Sequence, residues 1–223
     1  MSYKRDFIAF MAEAGVLTFG DFTTKSGRKT PYFINTGNYK TGEQACKLGE
    51  FYAACIREKV EEPIDALFGP AYKGIPLAVS TSVALYNQYG QSVNYFFNRK
   101  EAKDHGEGGS FVGYMPKDGD RIVITEDVIT AGTALRENLP LLKACGDVKI
   151  SALIVSVDRM EKGKGDKTAI DELKQDFGIV TYPIVTVREI MDTLYNTEVN
   201  GKIYIDDAMY KKMEDYLAKY AVQ

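Results

Sequence analysis

The sequence predicts a doubly wound α/β fold on a mainly parallel sheet of about five strands. Three observations carry that expectation. Short apolar runs recur at 64–68, 92–97, 121–125, 149–157 and 180–185. Segments with apolar residues on a helical period lie between most of them. Turn residues such as Gly69 and Pro70 stand where a run ends. Strands that alternate with helices pair in parallel, and the crossovers cover both sheet faces.

Residues 4–14 place Phe7, Ile8, Phe10 and Met11 on one helical face, and Gly15 is a stop signal. Residues 18–36 are rich in Thr, Phe and Tyr around Lys25-Ser26-Gly27-Arg28, which predicts a short hairpin or irregular strand pair. Thr41 and Gln44 have capping-box spacing, ahead of a helical stripe of Ala45, Leu48, Tyr52, Cys55 and Ile56. The first core strand, 64–68, leads to a helix over 74–88 and a second strand at 92–97. Residues 98–114 are Gly-rich and charged and read as a mobile loop. The third strand, 121–125, enters a loop and then a helix ending near Gly146. Pro140 lies inside that helix and is expected to kink or break it. The stripe Leu135, Leu139 and Leu142 still argues for helix. Strands at 149–157 and 180–185 and helices at 168–176, 187–195 and 206–220 complete the chain. A single domain over 1–223 is expected, with a core of roughly 41–185 behind an N-terminal part of roughly 1–40.

Composition narrows the function. The 223 residues are 45% hydrophobic, enough for one sizeable core. A net charge of -3 gives no basic field for nucleic acid or an anionic membrane. There is no long uncharged apolar run to span a bilayer. Charges at Lys4, Arg5 and Asp6 interrupt the place of a secretory apolar segment. Cys46, Cys55 and Cys145 form no metal-like pair and read as reduced, mostly buried thiols of a cytoplasmic protein. The single histidine, His105, excludes a histidine-rich metal site.

The most informative stretch runs from Arg121 to Ala134, Arg-Ile-Val-Ile-Thr-Glu-Asp-Val-Ile-Thr-Ala-Gly-Thr-Ala. An apolar strand meets two adjacent acids, Glu126 and Asp127, then a small-residue turn, then a helix. Ligands in open parallel sheets bind beyond the carboxyl ends of strands. Exposed amides at a helix start accept a phosphate, aided by the helix dipole. Thr130 and Thr133 add hydroxyls, while Ala131 and Gly132 let the backbone approach an anion closely. The acids repel phosphate but suit a sugar diol. The loop therefore fits a ligand such as ribose 5-phosphate.

The 98–114 stretch contains Arg99-Lys100-Glu101-Ala102-Lys103-Asp104-His105-Gly106-Glu107-Gly108-Gly109. By itself it reads equally as a solvated loop or as a lid whose cations close over an anionic leaving group. The turn Gly69-Pro70-Ala71-Tyr72-Lys73-Gly74 can form an anion-binding nest, although alone it is an ordinary strand exit. Lys25 lies on an N-terminal basic turn, followed by Phe33 and Ile34. Arg159 ends the fourth strand, a common place for a surface arginine.

Together these motifs resemble the type I phosphoribosyltransferases, and the resemblance runs from about Phe7 to Arg159. The 121–134 stretch is similar to that family's signature for phosphoribosyl pyrophosphate (PRPP). The 99–109 run resembles the catalytic loop of its orotate-specific members. The resemblance implies the type I phosphoribosyltransferase fold with a small N-terminal hood. It implies transfer of phosphoribose from PRPP to orotate in pyrimidine biosynthesis, giving orotidine 5'-monophosphate and pyrophosphate. By match, PRPP falls to Lys73, Arg99, Lys100, Lys103, His105 and the segment Glu126, Asp127, Val128, Ile129, Thr130, Ala131, Gly132, Thr133, Ala134. Lys103, His105 and Asp127 match catalytic positions. Lys25, Phe33, Ile34, Tyr72, Lys73, Thr130 and Arg159 match orotate-contacting ones. A homodimer is implied, with the 98–114 lid acting across its interface. Magnesium is implied too, held by substrate oxygens and water instead of a direct protein site. Glu126 where Asp is usual, apolar Ile34 and Pro140 depart from the family pattern. Two other functions fit parts of the sequence: transfer to another base, and a non-catalytic PRPP-sensing regulator. The lid residues and the acidic balance argue against them.

Overall fold

In a computed structural model, which describes residues 2–24, 27–103, 109–129, 132–163 and 165–222, a six-stranded sheet forms the centre of the chain. The side chains at 2, 101–103, 109 and 134 lie outside that description. Two strands precede the sheet as a hairpin, β1 (Leu17–Thr23) and β2 (Lys29–Ile34). The sheet strands are β3 (Ala66–Phe68), β4 (Asn94–Lys103), β5 (Gly109–Gly113), β6 (Arg121–Val128), β7 (Lys149–Asp158) and β8 (Thr181–Thr186). Their order is β5-β4-β3-β6-β7-β8. All neighbours pair in parallel except β5, which runs antiparallel to β4. The five expected strands are thus joined by a sixth, drawn from the stretch read as loop. β4 also runs on to Lys103, so the ends of that stretch are a strand pair.

The helices are α1 (Ser2–Glu13), α2 (Gly42–Lys59), α3 (Gly74–Tyr89), α4 (Thr133–Lys143), α5 (Ala169–Phe177), α6 (Val187–Leu194) and α7 (Asp207–Tyr220). A small antiparallel pair, β9 (Glu198–Val199) and β10 (Lys202–Ile203), precedes α7. Strand alternation separates two apolar cores. Leu67, Val123 and Ile154 point to the face covered by α1, α2, α3, α6 and α7. Ala66, Phe68, Ile122, Ile124, Leu153 and Val155 point to the other face, against α4 and Leu173 of α5. Gly49 lets α2 cross close to α3, because a Cβ there would strike the Ser80 carbonyl.

The capping box before α2 forms as expected: Gln44 N–H donates to Thr41 Oγ1 at 3.2 Å, and Thr41 N–H to Gln44 Oε1 at 3.1 Å. Pro140 does not break α4, which continues to Lys143. Burial of Leu135, Leu139 and Leu142 holds the stripe against the sheet, and the Pro140 carbonyl still accepts from Ala144 N–H at 3.0 Å. Cys46 differs from expectation. It is exposed, two residues and so more than half a turn from buried Leu48, whereas Cys55 is buried.

The chain passes from β3 out to β4 and β5, then returns to β6 on the other side of β3. That reversal opens a crevice beyond the carboxyl ends of β3 and β6.

Candidate active site

Two strand exits and the β1–β2 hairpin meet at this crevice. After β3 the chain turns through Gly69–Gly74 into α3. A Cβ on Gly69 would collide with the Gly74 backbone, and one on Gly74 with the Pro70 ring. Both glycines are therefore needed for a turn this tight. The Ala71–Tyr72 peptide is cis. Ala71 N–H donates to Asn98 Oδ1 of β4 at 2.8 Å, which ties the turn to the neighbouring strand.

After β6, Glu126 and Asp127 stand at the crevice. Thr36 Oγ1 donates to Asp127 Oδ2 at 2.7 Å, and Lys73 Nζ donates to the same oxygen at 2.9 Å. Lys73 Nζ also lies 3.1 Å from Thr36 Oγ1. One carboxylate oxygen thus collects the hairpin exit, the β3 turn and the β6 end. The backbone beneath is fixed from below. Tyr52 Oη donates to the Glu126 carbonyl at 2.7 Å, and Ser156 Oγ to the Asp127 carbonyl at 2.5 Å.

The two acids differ in charge. Burial pushes the Glu126 carboxyl up to about 8, aided by the charge of Asp127 and opposed by the Asp127 amide that bonds it at 3.0 Å. Burial also pushes Asp127 upward, but the bonds from Lys73 and Thr36 outweigh it and hold Asp127 below its ordinary value. The pair is therefore one carboxylate and one largely neutral carboxyl at neutral pH, where the sequence suggests two carboxylates. A neutral carboxyl can both donate to and accept from a sugar hydroxyl.

Two adjoining hollows share Asp127, Val128 and Ile129. The smaller, of about 190 Å³, is also lined by Glu126, Gly132 and Thr133. Gly132 takes φ +63° at the start of α4, a backbone conformation that L side chains rarely adopt. The larger, of about 720 Å³, is lined by Phe33, Ile34, Lys73 and Arg159 together with Arg28 and Glu161. Phe33 stacks on Phe22 with ring centroids 5.6 Å apart. The Arg159 guanidinium lies over the Tyr32 ring, 4.6 Å from its centroid.

Sequence-predicted residues from four separate motifs thus face one crevice. Others stand apart. Tyr72 is on the turn but 72% exposed and lines neither hollow. Arg99 and Lys100 lie on β4, outside both linings. Lys103 ends β4 opposite Gly109, with its side chain outside the described residues, as is that of Ala134 at the start of α4. Lys25, His105, Thr130 and Ala131 also lie outside the described residues. Sequence reasoning missed Thr36, Tyr52, Asn98, Ser156 and Glu161. Tyr52 was visible only as one member of an apolar stripe. Thr36 and Asn98 carry no periodic signal. Glu161 sits two residues beyond Arg159, and that proximity was the one available hint.

The phosphoribosyl transferase domain family matches residues 35–184. The chain is 54% identical to the orotate phosphoribosyltransferase of Clostridium acetobutylicum, covering 99% of each chain. It is 52% identical to that of Clostridium beijerinckii, covering 100% of this chain and 99% of the relative. Among solved structures, orotate phosphoribosyltransferase from Francisella tularensis superposes with a TM-score of 0.83 at 38% identity, covering 97% of this chain and 99% of the other. With the acidic strand end, the glycine turn and the two-part crevice in the same chain, the protein belongs to the phosphoribosyltransferase family, in its orotate phosphoribosyltransferase branch.

Proposed function

We propose that the crevice binds PRPP and orotate side by side and joins orotate to the ribose. In this reaction a ring nitrogen of orotate forms a bond to the anomeric carbon of PRPP and gives up its proton to the departing pyrophosphate or to water. The bond from that carbon to the pyrophosphate oxygen breaks, and the electron pair leaves with pyrophosphate. The products are orotidine 5'-monophosphate and pyrophosphate.

The arrangement that carries this reading is the shared wall of the two hollows. The smaller one offers the α4 start and Thr133, suited to the terminal phosphate, with Thr130 and Ala131 assigned to the same loop. Asp127 and Glu126 stand next to it and suit the ribose hydroxyls. Lys73 pairs with Asp127, and we assign it to the pyrophosphate. The larger hollow has apolar Phe33 and Ile34 for a flat ring and Arg159 for an anionic edge. Lys25 and Tyr72 are assigned to the same base, and the β1–β2 hairpin is its hood.

No protein nucleophile is required. Asp127 holds the sugar, and cations gather around the charge that develops on pyrophosphate. We assign that second task to Arg99, Lys100, Lys103 and His105, supplied by the partner copy of a homodimer. Arg99 and Lys100 line neither hollow of a single chain, which agrees with that assignment. The donor chemistry also fits magnesium brought in by PRPP: one carboxylate and one neutral carboxyl suit the hydroxyls of a metal-bound sugar more than a bare ion. Bound magnesium supplies charge neutralisation on the leaving group. Among the described residues no helix is long and apolar enough to cross a membrane, and we assign the enzyme to the cytoplasm.

Purified protein would be mixed with PRPP and magnesium and offered orotate, hypoxanthine, adenine or uracil in turn. Orotate alone should be consumed, with pyrophosphate released in equal amount. Consumption of a purine in preference to orotate would overturn the base assignment.

A further inference from the structure

Two acids of the larger hollow, Asp158 and Glu161, are not used by the reaction, and Glu161 is the one bonded to Arg159. Glu161 is half-buried beside Arg159, with its side chain 14% exposed. Its Oε1 accepts from Arg159 Nε at 2.8 Å, Tyr32 Oη at 3.1 Å and Tyr216 Oη at 2.8 Å. Its Oε2 accepts from Arg28 Nη1 at 2.9 Å. Three separate parts of the chain therefore converge on one carboxylate: the hairpin, the exit of β7 and the C-terminal helix α7. The backbone on either side is fixed to the same helix end, through Lys162 N–H to the Tyr220 carbonyl at 2.8 Å and Val222 N–H to the Met160 carbonyl at 3.1 Å.

We infer that Glu161 is a positioning residue which fixes the Arg159 guanidinium for the base, and that Tyr216 of α7 holds Glu161 in place. This inference rests on the reading that Arg159 meets orotate. Arginine is a long side chain with several rotamers, and freezing it before the ligand arrives removes an ordering cost from binding. Two contacts do this from different directions. Glu161 takes the Nε side, and the Tyr32 ring supports the guanidinium face. Nε bonds Glu161, and Nη2 lies buried 2.7 Å from the same oxygen without a hydrogen bond of its own, so the terminal nitrogens keep donors for an anionic ligand. Arg28 is restrained in the same way, by Glu161 and by the Tyr220 ring at 4.6 Å. Helix α7 lies outside the residues 35–184 that match the family, so this scaffold is an addition to the shared core.

Removing the Glu161 charge would mix two effects, because a lost carboxylate also makes the hollow more attractive to an anion. Charge-preserving variants separate them. Glu161→Asp withdraws the carboxylate by one methylene, out of reach of its partners. Tyr216→Phe deletes one bond and leaves every charge. At saturating PRPP, KM for orotate should rise about fivefold in Glu161→Asp and about threefold in Tyr216→Phe, below the full loss of a charged hydrogen bond because the effect is relayed. KM for PRPP should stay within about twofold, since neither Glu161 nor any of its bonded partners lines the smaller hollow. Unchanged orotate KM in Tyr216→Phe, or equal rises for both substrates, would overturn the inference. If Glu161→Asp fails to fold, Tyr216→Phe decides the matter. Arg159→Ala serves as the control. No rise in orotate KM there would remove the base-pocket reading itself, whereas a rise there with none in the other two removes only the role of Glu161.

Discussion

Replacing Asp127 by Asn keeps its shape and removes its charge, and the structure fixes what that change should cost. Its Oδ2 holds Thr36 at 2.7 Å and Lys73 at 2.9 Å, and its side chain is 16% exposed. For stability two effects oppose each other. The ion pair with Lys73 is lost, but Lys73 is 60% exposed, so solvent screening limits that loss to about 1 kcal/mol. Burial of a carboxylate is also relieved. For the reaction there is no such offset. Each charged bond to a ribose hydroxyl contributes about 1.5–3 kcal/mol, and an amide oxygen retains part of it. A net loss of about 2–4 kcal/mol corresponds to roughly 30- to 1000-fold in kcat/KM for PRPP. Initial rates of orotate consumption over a range of PRPP, beside thermal melts of both proteins, measure the two quantities. A kcat/KM for PRPP within about threefold of the parent, with the fold intact, would refute the role given to Asp127.

Glu126 gives a pH dependence of definite sign. Its folded value near 8 lies above its ordinary value of 4.5, so between these limits the folded state binds more protons than the unfolded state. Stability should therefore fall as pH rises from about 5 to 8, and Glu126→Gln should flatten that slope in melts recorded across the range. Asp127, held low, loses its contribution only as pH falls below the ordinary carboxylate range, outside that window. Gly132→Ala places a Cβ at φ +63° and 3.2 Å from Leu173. The left-handed conformation costs about 1–2 kcal/mol, so Tm should fall by roughly 2–8 °C, with a weaker apparent affinity for PRPP. Lys103→Ala should lower kcat by about two orders of magnitude or more with little change in Tm; unchanged turnover removes Lys103 from the mechanism. Chelation of magnesium should abolish turnover, restored by adding the metal back, and under the proposal that PRPP and not the protein carries the ion the melting curve without substrate should hardly move.

Alternation and spacing determined much of this protein from sequence. Apolar runs too short for helices, separated by helical stripes, imply that β3, β4, β6, β7 and β8 pair in parallel, because a parallel pair requires a long crossover, while their order in the sheet appears only in the fold. The acidic pair at the end of β6 was legible for a related reason: a strand that runs through a short loop into a helix is contiguous, so its signal is local in the chain. β5 was hidden because its glycines and neighbouring charges look like loop, and only pairing with β4 makes Gly109–Gly113 a strand. The unequal charge of Glu126 and Asp127 was likewise decided in three dimensions. It depends on burial and on a lysine and a threonine far away in sequence. The same holds for Glu161, whose partners Arg28, Tyr32, Arg159 and Tyr216 come together only when the hairpin and the last helix close over the end of β7. A sequence states which groups are present and how neighbours repeat. Side chains distant along the chain set charge and orientation, and only the folded packing brings them within bonding distance.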